Sequence, residues 1–278
     1  MCSLISPHPN IAKVNALVLS PPTLVLEYCN EGNLYDKLHS NEFISMETKM
    51  QWILDILRGL VHLRNSPIPG IRKSITHGSI SSHNILLHNN TAKLSNMKTA
   101  KLGKLQSAFS CGHPLWKAPE TMWKENKAEK SDVFAFGVLI YEIMSRKEPW
   151  QGISREEAVK NVMSGITMEL KEEDWTGELK EVVEMCWKFS PEERPKFTEI
   201  LTFLTGEIVE EMEEEIEEEL EDVIYFDQND EEEDSESETE DEDESDSSDE
   251  ETAASVNNVF KTLFEVSRIF YCIADILE

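Results

Sequence analysis

Between Glu207 and Glu251 the chain has no lysine and no arginine against 28 acidic residues, so nearly all of its net charge of −29 belongs to that stretch. Residues 1–206 hold 24 acidic and 24 basic side chains and are formally neutral. Phosphate contact requires a basic footprint that is missing, which disfavours nucleic acid as a partner. The five cysteines (Cys2, Cys29, Cys111, Cys186, Cys272) form no C-x-x-C pair, and no secretory segment is present. That pattern argues against a disulfide framework and fits a reducing intracellular setting, cytoplasmic or nuclear. No G-x-G-x-x-G stretch occurs anywhere in the sequence, so a glycine loop to cradle phosphates is lacking. His77 and His113 are not spaced with other His or Cys as metal ligands, so no metal site is expected.

What is present divides the 278 residues sharply. About 200 of them carry mixed polar and apolar sequence, enough to bury a core as one helical domain. From Glu207 apolar residues recur every fourth position at Ile208, Met212, Ile216, Leu220 and Ile224, the spacing of one helical stripe. Its glutamates repel at i,i+4 with no lysine to offset them, which weakens an isolated helix at neutral pH. Asp227 to Glu251 contains no apolar residue and is expected to be disordered. The final segment, "ASVNNVFKTLFEVSRIFYCIADILE", is amphipathic but too interrupted by polar residues for a membrane span. Its polar face has only Lys261 and Arg268 as cations against several acids, unlike a basic interfacial helix, so docking on the body or on a protein partner is expected instead.

The chemistry-bearing motif is His77-Gly78-Ser79-Ile80-Ser81-Ser82-His83-Asn84, which resembles a protein-kinase catalytic loop, H-R-D-L-x-x-x-N. Five further stretches resemble that superfamily in the same order. "HPNIAKVNALVLSPPTLVLEYCNEGNLYDKLH" (His8 to His39) is similar to the last two small-lobe strands, the hinge and the helix after it in the tyrosine-kinase-like group. "AKLSNMKTA" stands where the metal-binding D-F-G triplet is expected. "LWKAPE" (Leu115 to Glu120) is similar to the end of an activation segment. "KSDVFAFGVLIYEI" and "CWKFSPEERPKFTEIL" are similar to the central and final large-lobe helices. Broader similarity extends to the receptor-interacting and mixed-lineage-like kinases. The fold class implied is mainly α: a kinase large lobe (C-lobe) with a remnant of the small-lobe (N-lobe) sheet, an acidic disordered tail and a C-terminal amphipathic helix. Its expected divisions are 1–30 (remnant and hinge), 31–206 (large lobe), 207–226 (acidic helix extension), 227–254 (disordered tail) and 255–278 (amphipathic helix).

The resemblance also implies roles for single residues. The positions matching Asp132, and the Glu120–Arg194 pair, hold the catalytic loop and activation segment in the family, and all three are present. The catalytic Asp is Ser79, whose hydroxyl cannot act as a general base near neutral pH. The metal Asp is Asn96, which keeps an oxygen but not the negative charge that holds Mg²⁺. Gly78 replaces the loop arginine, Ser81 the phosphate-contacting lysine and Lys98 the triplet glycine, while His77 and Asn84 remain. Glu27 and Cys29 match hinge positions that would face an adenine, a vestigial ATP site, and Leu26 the gatekeeper. His77 is expected to pack beneath the loop, Cys29 to be an inert small hydrophobe, and loop phosphorylation not to activate.

These substitutions lead to the expectation of a pseudokinase: no enzyme, no cofactor beyond weak ATP or Mg²⁺ binding at most, and a scaffold or signalling role through protein partners. Another kinase, or a basic protein surface for the tail, would be such a partner. Ser235, Ser237, Ser245 and Ser247, with Thr239 and Ser248, resemble acidophilic kinase sites, against the plainer reading of a solvating spacer. The alternatives are weak residual serine/threonine kinase or ATP-binding activity resting on Asn84 and the hinge, and an acidic-tail adaptor or chaperone for a basic protein. No small-lobe lysine strand precedes "HPNI". The favoured explanation is a piece of a longer kinase-like protein, with Met1 internal to it, rather than a half-sized scaffold.

Overall fold

The longest helix takes shape from a capped start and a regular apolar stripe. In the computed structural model Ser45 accepts from the Thr48 backbone N–H and caps α2 (Met46–Asn65), which buries Trp52, Ile53, Ile56, Leu57, Leu60 and Leu63. The structure describes residues 6–20, 22–66, 75–96, 101–102, 113–122, 128–171, 175 and 177–208. Before α2 come an antiparallel hairpin, β1 (Val14–Leu19) and β2 (Pro22–Leu26), and the short α1 (Leu34–Leu38) capped by Asn33. After it come β3 (Ile75–Thr76) and a second hairpin, β4 (Ile85–His88) with β5 (Thr91–Leu94). Asn89 and Asn90 both have positive φ, 50° and 60°, as the two central residues of a tight hairpin turn require. β6 (Lys101–Leu102) pairs with β3.

The second half of the body is helical: α3 (Pro119–Met122), α4 (Ala128–Ser145), α5 (Arg155–Met163), α6 (Gly177–Cys186) and α7 (Phe197–Thr205). α4 is apolar nearly all round, as suits a helix inside the body, and Val133, Phe136, Val138, Leu139, Ile140 and Ile143 are fully buried. α6 runs so close to it that a Cβ on Gly137 would sit 2.7 Å from Cys186 Cβ. α2 packs on β5 and α7, which joins the helices to the second hairpin in a single core. The helical body with a few short strands is the kinase-domain architecture expected.

The tail departs from its expectation at its first residues. α7 stops at Thr205, and Gly206 turns the chain out at φ 74° while its N–H donates to Thr202 O, so Glu207 and Ile208 do not continue the helix. The rest of the acidic helix extension, the 227–254 tail and the 255–278 helix lie outside the described residues, as do Ser235, Ser237, Thr239, Ser245, Ser247 and Ser248.

Candidate functional site

Backbone geometry builds the candidate loop before any side chain enters. Gly78 takes φ 75°, a conformation a glycine adopts at little cost, and this turns two successive N–H groups toward one carboxylate. His77 N donates to Asp132 Oδ2 at 2.7 Å and Gly78 N to Oδ1 at 2.9 Å. Asp132 is itself buried near the start of α4, so the loop hangs from the central helix. His77, 1% exposed, bridges its Nε2 to Ser95 O at 3.0 Å and receives the Ser79 N–H on Nδ1 at 3.3 Å. That pairing assigns the neutral Nε2–H tautomer, and burial accordingly holds its pKa down at about 4.

The activation-segment end hangs from a second ionic anchor. Arg194 forks onto Glu120, Nη1 to Oε1 at 2.7 Å and Nη2 to Oε2 at 2.9 Å, with both side chains essentially buried. Its other donors reach Lys188 O, Lys130 O and Phe189 O, and its guanidinium lies 5.1 Å from the Phe134 ring centroid. Every N–H of the guanidinium therefore has an acceptor, the condition under which a buried charge is tolerated.

At the position of the reaction the side chains are close together and neutral. Asn84 Nδ2 donates to Ser79 O at 2.7 Å and to Ser79 Oγ at 3.0 Å, while Asn84 Oδ1 accepts from Asn96 Nδ2 at 2.8 Å. Asn96 sits at φ 57°, a left-handed conformation that Asn tolerates better than most residues. The chain Ser79–Asn84–Asn96 thus spends both donors and one lone pair of Asn84 internally. Ser81, in the lysine position, is fully buried and its Oγ has no hydrogen-bond partner. Met97 and Lys98, and Thr99, Ser107 and Ser110 of the segment, lie outside the described residues.

This donor set does not suit a divalent cation. Mg²⁺ favours carboxylate oxygen and near-octahedral geometry, and the corner offers amide oxygens without net charge, one of them already engaged. Among the described residues no group of three His, Cys, Asp or Glu is placed to hold a metal ion. At the hinge, Glu27 Oε1 takes the Lys13 N–H at 2.8 Å and Lys93 Nζ at 2.9 Å. Burial alone would raise the Glu27 pKa, but those two hydrogen bonds and the Lys93 charge hold it below its usual value. Burial, then the Glu27 charge, push the Cys29 thiol up, so the thiolate is disfavoured there.

One constellation near this corner was not foreseen. Ser82 Oγ donates to Glu142 Oε1 at 2.8 Å, and His39 Nε2 lies 3.2 Å from the same oxygen. Glu142 is completely buried in α4, and burial lifts its pKa to about 8 despite the Ser82 hydroxyl. The Trp116 indole faces this carboxyl, yet neither Trp116 Nε1 nor Glu142 Oε2 makes a hydrogen bond of ordinary length. Its parts come from four separate stretches, and only the glutamate inside an otherwise apolar helix hinted at it in the sequence.

A hairpin-and-hinge segment, a loop suspended from an aspartate of a buried central helix, and a Glu–Arg anchor near the C-terminal helix define the body as a protein-kinase domain. The chain belongs to the family described as protein tyrosine and serine/threonine kinase, whose family model matches residues 1–204. It is similar to a probable serine/threonine-protein kinase of Dictyostelium discoideum, 31% identical over 206 residues, covering 71% of this chain and 21% of the relative. The serine/threonine-protein kinase CTR1 of Arabidopsis thaliana is 30% identical over 208 residues, covering 71% of this chain and 24% of that protein. The tyrosine-protein kinase csk-1 of Caenorhabditis elegans is 31% identical over 207 residues, covering 71% and 37%. The chain thus spans well under half the length of each of these relatives.

This kinship corrects one expectation. The replaced aspartates and the missing glycine loop and ATP lysine led to the expectation of no enzyme, but the match runs through the whole candidate site, and relatives at 29–34% identity are named as kinases. Family membership supports a protein kinase, and the residues at 79 and 96 bear on how such a site works rather than on its class.

Proposed function

We propose that the chain is a signalling domain of the protein kinase family whose principal output is binding to other proteins and whose phosphoryl transfer is slow. The observation that carries this reading is the neutral chain Ser79–Asn84–Asn96 set among the hydrogen-bonded buried charges of Asp132 and the Glu120–Arg194 pair. A substrate hydroxyl near Ser79 meets no carboxylate to take its proton, and a positioned base is worth about 10²- to 10⁴-fold in rate. ATP with Mg²⁺ binds weakly, since Asn84 and Asn96 supply no negative charge. Glu27 and Cys29 form the adenine edge, and Asp132, Glu120 and Arg194 hold the surface presented to a partner. That partner is a protein, such as another kinase, met inside the cell in the cytoplasm or nucleus. Ser235, Ser237, Ser245 and Ser247 take phosphate and deepen the attraction of the acidic stretch for a basic surface. No helix among the described residues is long and apolar enough to cross a membrane.

The test is a phosphotransfer assay with labelled ATP on the whole chain and on Ser79→Asp. Slow transfer is expected from the chain, and the variant gains less than the roughly 10²-fold minimum of a restored base, because Asn96 still lacks charge. Transfer at about 1 to 100 per second, the ordinary range of kinases, would overturn the reading.

A further inference from the structure

Away from the candidate site, the segment that leads into β1 lies along α2. The approach is so close that a Cβ on Gly59 would sit 2.8 Å from Asn10 O. Beside this crossing the His8 ring lies on the His62 ring, with centroids 4.4 Å apart and planes 22° from parallel. His62 Nε2 is also 2.9 Å from Ser6 O and 3.0 Å from Ser6 Oγ. His8 Nδ1 accepts the Asn10 N–H at 3.2 Å, which leaves the proton of the neutral ring on Nε2. Asn10 is buried, and its side chain donates to Ala92 O at 3.1 Å while its carbonyl takes the Leu94 N–H at 2.8 Å. Two histidines thus fasten the entry to the first hairpin onto the longest helix.

We infer that the His8–His62 stack is an acid-released clasp, which holds residues 6–10 on α2 while His8 is neutral and lets them go when His8 takes a proton. The geometry opposes that proton at the atom where it must land. The lone pair of the neutral His8 ring is on Nδ1, and there it already serves the Asn10 N–H. A proton on Nδ1 sets two donors against each other and leaves the N–H of a buried residue without an acceptor. Once one ring of the pair is charged, a second proton 4.4 Å away is repelled by a factor of about five in affinity even if water screened the two fully. Separating the segment from the helix relieves both conflicts.

The surrounding charges act in the same direction. Burial is the largest influence on His8, followed by His62 and Arg58 of α2 and Lys93 of β5, and together they bring its pKa from 6.5 down to about 4. The carboxylates of the neighbouring elements are engaged elsewhere: Glu207 with Arg58 at 2.8 Å, Asp55 with Gln51 and the Ala92 N–H, and Glu27 with Lys93. Because the folded value is lowered, the stabilisation from the clasp is complete above 6.5 and is lost as pH falls toward 4. Lys93 serves both ends of the hairpin, since its ammonium pairs with the hinge residue Glu27 and also opposes the proton on His8. The clasp lies apart from the proposed function and holds whether or not the chain transfers phosphate.

The experiment is an NMR titration of the full chain from about pH 7.5 to about 3.5, read on the His8 imidazole and the Asn10 backbone amide, for the wild type, His62→Phe and His8→Gln. In the wild type His8 should titrate at about 4, and the Asn10 amide should lose its protection from solvent exchange at the same midpoint. His62→Phe keeps a ring in the stack that cannot be charged, and there the His8 midpoint should rise by a factor of roughly five in proton affinity. His8→Gln offers an amide oxygen to the Asn10 N–H and cannot titrate, so the Asn10 step should vanish. Any general unfolding in acid, read on the Leu139 amide of α4, should stay where it was. If His62→Phe fails to fold, the His8→Gln arm decides alone. A wild-type His8 midpoint at the ordinary value near 6.5, a midpoint unchanged in His62→Phe, or an Asn10 step that persists in His8→Gln would overturn the clasp.

Discussion

The anchors of this domain and its reaction corner are built from opposite chemistry, although one anchor, Asp132, holds the two residues just before Ser79. Asp132 and the Glu120–Arg194 pair are buried charges with hydrogen-bonded partners. Ser79, Asn84 and Asn96 are neutral groups bonded to each other. A buried ion tolerates no neighbour's loss, whereas a neutral amide chain tolerates change at modest cost. Fold and chemistry thus depend on different residues even where they share one loop.

The largest effect should come from breaking an anchor. Arg194→Met removes the cation and leaves Glu120 buried without its partner, a loss of about 3–5 kcal/mol in unfolding free energy by urea denaturation. A loss under about 1 kcal/mol would mean that the pair is not the anchor its geometry suggests. The next effect sharpens the contrast through pH. The folded pKa of His77 is lowered from 6.5 to about 4, so the neutral ring contributes stability that is present above 6.5 and lost as pH falls toward 4. The loss over that window is on the order of 3 kcal/mol, and His77→Gln, which cannot titrate, should flatten that part of the stability–pH curve. An unchanged curve would show that His77 is not the group responsible.

Much of the fold was legible because its signals are local. The capped apolar stripe of α2, the uniformly apolar α4, and the order of the motifs from His8 to Leu201 each stand in contiguous sequence. The turn at Asn89–Asn90 reads directly from residue type. The candidate loop was legible as positions but not as a bonded network, since the Asn96–Asn84 contact depends on how two loops meet. The stacking of Tyr35 on His83, and of His83 on His113, was not legible at all: Tyr35 and His83 are 48 residues apart, and His113 bears no spacing signal. The end of α7 turned on one glycine taking a left-handed conformation, against a periodic pattern that continues past it. The family was legible, but the expectation of no enzyme went too far, because absent carboxylates bear on how a kinase site works and not on whether the chain belongs with kinases.

The most direct test of a charged scaffold around a neutral reaction corner is the melting temperature of the whole chain with millimolar ATP and Mg²⁺, beside Asn84→Ala. A ligand bound a thousandfold more tightly than its concentration would add about 4 kcal/mol, a rise of several degrees. The account predicts almost no rise for either protein. A rise of several degrees that disappears in Asn84→Ala would contradict it, by showing that the amide chain opens to hold the metal–nucleotide after all.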